Sequence, residues 1–234
     1  MVTEKIREFE KRIGYTFHNT QLLVQAFTHS SYSNERKINK IYNYERLEFL
    51  GDAVLELVVS HFFFEKIPKM SEGEMTKLRS SMVCEAALAM CARDLSVEAY
   101  ILLGKGEENT GGRKRNSIVS DVMEAIIGAL YLDGGLETAK AFIHEYVLTD
   151  IDSKKLFYDS KTILQEEVQK NEETPLLQYQ LVAESGPEHD KEFRVCVLLN
   201  GDVIGEGSGK TKKSAEQSAA YQALMKGKYV FKKY

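Results

Sequence analysis

Wound as a helix at about 100° per residue, the stretch YERLEFLGDAVLELV (44–58) puts Glu45, Glu48, Asp52 and Glu56 on one side and Leu47, Leu50, Val54, Leu57 and Val58 on the other. The apolar side is a core stripe. The acidic side needs a reason, because like charges at i,i+4 spacing repel by roughly 0.2–0.5 kcal/mol per pair. Solvation would be reason enough for a single helix. It does not serve for SDVMEAIIGALYL (120–132), where Asp121 and Glu124 stand at i,i+3 among apolar residues, with Gly128 on the same side leaving room for close approach. Carboxylates beside a core need a cation or take up protons, and no lysine or arginine lies at neighbouring helical spacing. Glu48, Asp52, Asp121 and Glu124 therefore make an oxygen-rich set suited to a hard divalent ion, Mg²⁺ with Mn²⁺ as a substitute. Such an ion activates water and stabilises charge on a phosphate. A di-iron bundle site also uses carboxylates, but it wants Glu-x-x-His on two helices, and neither acidic segment has that histidine.

Two kinds of segment must position these groups. Up to about residue 150 the apolar spacing is helical almost throughout. SEGEMTKLRSSMVCEAALAMCARDL opens on a capping box, Ser71 with Glu74, and runs on with helical spacing. IVSDVMEAIIGALYLDGG reads as a buried helix stopped by Gly134 and Gly135, and GKGEENTGGRKRNS between these two is a polar, glycine-rich loop. Beyond a linker at 151–158 the period changes. KTILQEEVQK is a short amphipathic helix; LLQYQLVA, EFRVCVLL and DVIGEGSG are strands; KKSAEQSAAYQALMK is a closing helix. Phe193, Val195, Val197 and Leu199 alternate, and Asn200-Gly201 marks a tight hairpin. The reading is an all-α domain at 1–150 followed by an α+β domain of order α-β-β-β-α at 159–229.

A chain of 234 residues with 43% apolar residues can bury a core in each half. No apolar run is long enough to cross a bilayer, and the charged opening MVTEKIREFEKRIG is unlike a secretory signal, so a cytoplasmic protein without membrane contact is expected. Three cysteines without close pairing indicate neither a disulfide framework nor a zinc site, and Cys84 and Cys91 read as buried helical residues. The net charge of −4 hides an asymmetry: from Gly209 to Tyr234 there are seven lysines against one acid, Glu216. Lys210, Lys212 and Lys213 crowd the start of the last helix, where the backbone dipole is already positive, an arrangement that an incoming phosphate would relieve.

ERLEFLGDAVLEL closely resembles the signature of bacterial ribonuclease III, and AFTHSSY (26–32), SEGEMTKLRS (71–80), LGKGEENTGGR (103–113) and SDVMEAIIGALYLD (120–133) follow the order that family shows. The α-β-β-β-α half is similar to a double-stranded RNA-binding domain, so the resemblance covers nearly the whole chain. One departure is Tyr44, where many relatives carry Asn. The resemblance implies an endonuclease domain whose metal ligands are Glu48, Asp52, Asp121 and Glu124, with Asp52 and Glu124 catalytic and Glu45 supporting RNA contact or site assembly. Glu56 is left as a solvated residue. It implies a homodimer in which Phe49 plugs into the partner subunit. It further implies a Mg²⁺-dependent endoribonuclease that cuts double-stranded RNA to 5′-phosphate and 3′-hydroxyl ends with a short 3′ overhang, acting on ribosomal and messenger RNA precursors. In the second domain, Thr162, Gln165 and Gln169 would meet one minor groove, the loop with Pro187 and His189 the next, and Lys210, Lys212 and Lys213 the phosphates between.

Two other readings stand beside this one. A catalytically silent relative that only binds RNA would keep the second domain and lose an acid, and all four acids are present. Thr28, His29 and Ser30 in AFTHSS could suggest a hydrolase triad, but no nucleophile elbow surrounds them, and structural roles are expected.

Overall fold

The computed structural model describes residues 2–37, 39, 41–149, 151, 154, 159–171, 175–186, 191–209 and 211–226. They fall into two units, Met1–Thr149 and Asp150–Tyr234.

The first unit is all-α: α1 (Val2–Ile13), α2 (Thr20–Ala26), α3 (Ser30–Glu35), α4 (Glu45–Lys66), α5 (Glu72–Val83), α6 (Glu85–Asp94), α7 (Lys105–Asn109) and α8 (Asn116–Tyr146). The α8 segment from Ile118 to Leu130 is buried on nearly every side, as expected of a helix apolar all round. Against it lies the stripe of Leu47, Val54, Leu55, Val58 and Val59 from α4. Phe9, Leu23, Phe27, Phe63, Met82 and Leu88 complete the core. The capping box at Ser71 and Glu74 is formed, with the Ser71 side chain accepting from the Glu74 N–H and the Glu74 carboxylate accepting from the Ser71 N–H.

Four local expectations are corrected. Gly135 does not stop the helix but breaks it: its φ of 79° and ψ of −177° interrupt α8, which then resumes to Tyr146. The apolar set Ala139, Phe142 and Ile143, spaced i,i+3,i+4, buries the second stretch. Residues 104–117 are not plain loop. Arg113 ion-pairs with Glu108 and donates to the carbonyls of Glu98 and Ile101, Arg115 pairs with Glu107 at 2.7 Å, and these contacts hold α7 and a 3₁₀ turn at Gly112–Lys114. Cys91 is a buried helical residue, but Cys84 is extended and only half-buried, dividing α5 from α6. Leu57, assigned to the core stripe, is 58% exposed.

The second unit runs α9 (Ser160–Asn171), β1 (Leu177–Ser185), β2 (Glu192–Leu199), β3 (Asp202–Gly209) and α10 (Lys212–Met225). The strands form one antiparallel sheet in the order β1-β2-β3. Asn200 and Gly201 both take positive φ, 52° and 94°, which a two-residue hairpin with right-twisted strands demands. Val195, Val197 and Leu199 are buried with Leu164 and Val168 of α9 and Ala215, Ala219, Ala220, Ala223 and Leu224 of α10, while Phe193 is partly buried at the edge. The α+β order read from the sequence is the order observed.

Candidate active site

Helices α4 and α8 cross where each carries a glycine. A Cβ on Gly51 would lie 1.8 Å from the Glu124 carbonyl oxygen, and one on Gly128 would lie 2.2 Å from that of Leu47. The two backbones therefore touch, an approach that no side chain at either position allows. Glu48 and Asp52 flank Gly51 within one turn, and Asp121 and Glu124 lie one to two turns before Gly128, so the crossing carries two acids of each helix to one place.

Glu48, Asp121 and Glu124 each offer an oxygen within 4.8 Å of the others, and all three are half-buried. Asp52 and Glu45 are exposed beside this set rather than within it. Asp52 still acts on the set, as its charge is the strongest of the three neighbouring acids felt by Glu124. Burial, then Asp121, Glu45 and Asp52, pushes the Glu48 carboxyl up to about 7. Burial, then Asp52, Asp121 and Glu48, pushes Glu124 up to about 8. Burial also raises Asp121; the hydroxyl of Tyr44 opposes this and the charge of Glu85 adds to it. None of the ion pairs among the described residues reaches Glu48, Asp52, Asp121 or Glu124.

The donor set suits a hard divalent ion. An octahedral Mg²⁺ with oxygens at about 2.1 Å spans about 4.2 Å between opposite ligands, close to the spread of the three carboxylates. A divalent charge among them would also reverse the repulsion that holds protons on Glu48 and Glu124.

The neighbouring residues are fixed by local contacts. Tyr44, next before α4, is buried and its hydroxyl donates to Asp121 Oδ2 at 3.2 Å. His29 caps α3, its Nδ1 accepting from the Ser31 N–H at 3.1 Å, and burial holds its imidazole below the ordinary value. Thr28 donates to the Val24 carbonyl and is buried. Glu56, expected to be solvated, instead pairs with Arg79 at 3.1 Å. Sequence spacing gave no sign of that pair, because Arg79 comes from α5. Glu85 was missed for a similar reason: it opens α6 and reaches Asp121 through its field alone.

Phe49, one turn from both Glu45 and Asp52 on α4, is 81% exposed, on the same helix as the exposed Leu57 and Phe64. A cleft of about 400 Å³ between α4 and α5 is lined by Leu57, Phe63, Phe64, Met75, Thr76 and Arg79, among others.

In the second unit Thr162, Gln165 and Gln169 are all exposed on α9, at helical spacing that keeps them on one face. Lys212 and Lys213 are exposed in the first turn of α10, where the Thr211 side chain accepts from the Ser214 N–H. The Lys212 ammonium sits 5.9 Å from the centre of the Phe193 ring. Pro187, His189 and Lys210 lie outside the described residues.

The fold and site define a two-unit protein in which a carboxylate-centred helical domain precedes an α-β-β-β-α domain. Comparison with known proteins gives the family. A Ribonuclease-III-like family model matches residues 19–151, and a Double-stranded RNA binding motif model matches residues 160–226. The chain is 51% identical over 225 residues to Ribonuclease 3 of Bacillus licheniformis, covering 95% of this chain and 90% of that protein. It is 50% identical, over the same span and with the same coverage, to Ribonuclease 3 of Bacillus velezensis. A solved nuclease domain of ribonuclease III from Campylobacter jejuni, studied for flexibility in the region of dimer formation, matches with a TM-score of 0.57 and 44% identity. That match covers 61% of this chain and 95% of the Campylobacter chain. The chain belongs to the ribonuclease III family. Among the described residues no helix is long and apolar enough to cross a membrane.

Proposed function

We propose that this chain is a divalent-metal-dependent endoribonuclease that hydrolyses phosphodiester bonds of double-stranded RNA, leaving 5′-phosphate and 3′-hydroxyl ends with a short 3′ overhang. Ribosomal and messenger RNA precursors in the cytoplasm are the proposed substrates. The observation that carries this reading is the cluster of Glu48, Asp121 and Glu124, three half-buried carboxylates from two helices that no ion pair among the described residues engages. Family membership, and relatives named Ribonuclease 3 at about half identity over nearly their full length, support it.

In this reading Glu48, Asp52, Asp121 and Glu124 hold Mg²⁺, or Mn²⁺ in its place, with Asp52 and Glu124 nearest the chemistry. The bound ion supplies a water of lowered pKa and Lewis-acid stabilisation of the phosphate. The protein's part is to hold four anionic oxygens in place. The Gly51–Gly128 crossing fixes the helices, partial burial of Glu48, Asp121 and Glu124 limits their contact with bulk water, and no lysine or arginine among the described residues is ion-paired to the carboxylates. Glu45 lies in the first turn of α4, where it raises Glu48 by its charge and is exposed for contact with RNA. No side chain acts as nucleophile.

The same reading makes the protein a homodimer. Phe49, Leu57 and Phe64 leave an apolar face of α4 in water, and the cleft beside Leu57 and Phe64 is of a kind to accept Phe49 of the partner subunit. Thr162, Gln165, Gln169 and His189 are assigned to minor-groove contacts, and Lys210, Lys212 and Lys213 to phosphates.

Incubating the full chain with long duplex RNA, single-stranded RNA and duplex DNA, each with Mg²⁺ or EDTA, tests the proposal. Short duplex products bearing 5′-phosphates are expected from duplex RNA with Mg²⁺ alone. Intact duplex, or equal cleavage of single strands, would overturn it.

A further inference from the structure

The two helices of the acidic site are joined by more than their crossing. Tyr44 is 5% exposed and is fixed by its backbone: its N–H donates to the Thr28 carbonyl at 2.9 Å, and its own carbonyl accepts from Leu47 and Glu48 at 2.8 and 2.9 Å. Its ring rests against His29 with centroids 5.6 Å apart. His29 is held in turn by Ser31, whose hydroxyl lies 2.7 Å from its Nδ1 and accepts from the Gly104 N–H at 2.9 Å. From this seat the phenol spans to α8, where its hydroxyl donates to Asp121 Oδ2 at 3.2 Å.

A hydrogen bond of this kind does two things to a carboxylate that must serve as a ligand. It removes rotational freedom from the group, so that less ordering remains to be done when a cation arrives. It also satisfies part of a half-buried anion without neutralising it, as a lysine at the same place would. The Ser120 side chain also bonds Asp121, and the lone pairs that these two hydroxyls do not take remain for a cation. A side chain ending at the δ position, such as asparagine, is too short to span from the start of α4 to Asp121, so this link depends on the tyrosine itself.

We infer that Tyr44 is a positioning residue of the metal centre, orienting Asp121 and thereby raising the affinity of the site for its divalent ion. The inference rests on the metal-centre reading above. Partners that orient metal ligands through a hydrogen bond are worth about 10- to 100-fold in metal affinity, and a neutral phenol on one ligand belongs at the lower end.

The test is a titration of the full-length, metal-free protein with Mn²⁺, following free Mn²⁺ by electron paramagnetic resonance, for the wild type, Tyr44→Phe and Asp121→Asn. Melting of each protein in EDTA and the Mg²⁺ dependence of duplex cleavage accompany it. Tyr44→Phe is expected to bind Mn²⁺ about 10-fold more weakly and to melt in EDTA within a few degrees of the wild type. Its half-saturating Mg²⁺ should rise by the same factor while its cleavage rate at saturating Mg²⁺ returns close to that of the wild type. Mn²⁺ affinity within twofold of the wild type, with Asp121→Asn impaired, would overturn the role of Tyr44 and leave the metal centre standing. A wild type that binds no Mn²⁺, or an Asp121→Asn protein that binds it normally, would overturn the metal centre and this inference with it. Weakened binding together with a collapse of the EDTA melting point would assign Tyr44 to folding and likewise overturn the inference.

Discussion

Replacing Glu124 by glutamine should make the metal-free protein more stable at alkaline pH. Glu124 has its carboxyl pushed from an ordinary 4.5 to about 8 by burial and by the charges of Asp52, Asp121 and Glu48. A raised value in the folded state means that between these two pH values the native chain holds a proton that the unfolded chain has lost. Stability therefore falls as pH climbs through that window, and the penalty is complete above it. A shift of that size corresponds to about 5 kcal/mol as a ceiling. The charge is shared among coupled acids that can trade protons, so removing one should return about 2 kcal/mol. For a helical unit of this size that is roughly 4–8 °C in melting temperature. The assay is thermal unfolding in EDTA, followed by circular dichroism from pH 4.5 to pH 9. Glu124→Gln should melt above the wild type at pH 9, and the difference should vanish towards pH 4.5. Added Mg²⁺ should raise the wild-type melting point and leave that of the variant nearly unchanged, since binding to the native state alone stabilises it. A variant less stable than the wild type at pH 9, or a difference independent of pH, would refute the reasoning.

Gly128→Ala would drive a methyl into the Leu47 carbonyl at 2.2 Å; a loss of about 3 kcal/mol or more in unfolding free energy is expected, measured by urea denaturation. Phe49→Ala should weaken self-association by about 2–4 kcal/mol, or roughly 30- to 1,000-fold in dissociation constant, read by sedimentation equilibrium across a dilution series. Lys212→Ala and Lys213→Ala together should flatten the dependence of duplex affinity on salt by about two units of slope, equally for all sequences, whereas Thr162→Ala and Gln165→Ala should erode the preference for RNA over DNA duplexes and leave the slope alone. Binding titrations at several salt concentrations separate the two.

The parts of the molecule legible in its sequence are those set by short-range periodicity. The acids of α4 and α8 were visible because charge interrupts an otherwise apolar helical pattern, and the three strands because Val195, Val197 and Leu199 alternate beside an Asn-Gly turn. Gly128 on the face of Asp121 and Glu124 announced a close approach, and Gly51 completes it from α4. What spacing could not show lies across elements. Arg79 comes from α5 to neutralise Glu56, Glu85 from α6 adds its field to Asp121, and Tyr44 reaches α8 from the start of α4. Asp52 and Glu124 look alike as letters, yet only Glu124 is withdrawn from water. The helix in GKGEENTGGR leaves no periodic signal because arginine contacts hold it rather than an apolar stripe. The restart after Gly135 could have been read from Ala139, Phe142 and Ile143, since a glycine of positive φ bends the chain without ending its helical pattern.

Single-turnover cleavage of a uniform RNA duplex, at saturating protein and Mg²⁺, should compare the wild type with Glu124→Gln while duplex affinity is measured in Ca²⁺ on the same preparations. If the carboxylates of α4 and α8 form the metal centre and the second unit carries most of the RNA affinity, Glu124→Gln should lose cleavage by a factor on the order of 10³ or more, with affinity within about twofold of the wild type. Cleavage by Glu124→Gln within tenfold of the wild type, or a parallel loss of RNA binding, would contradict the assignment of the site.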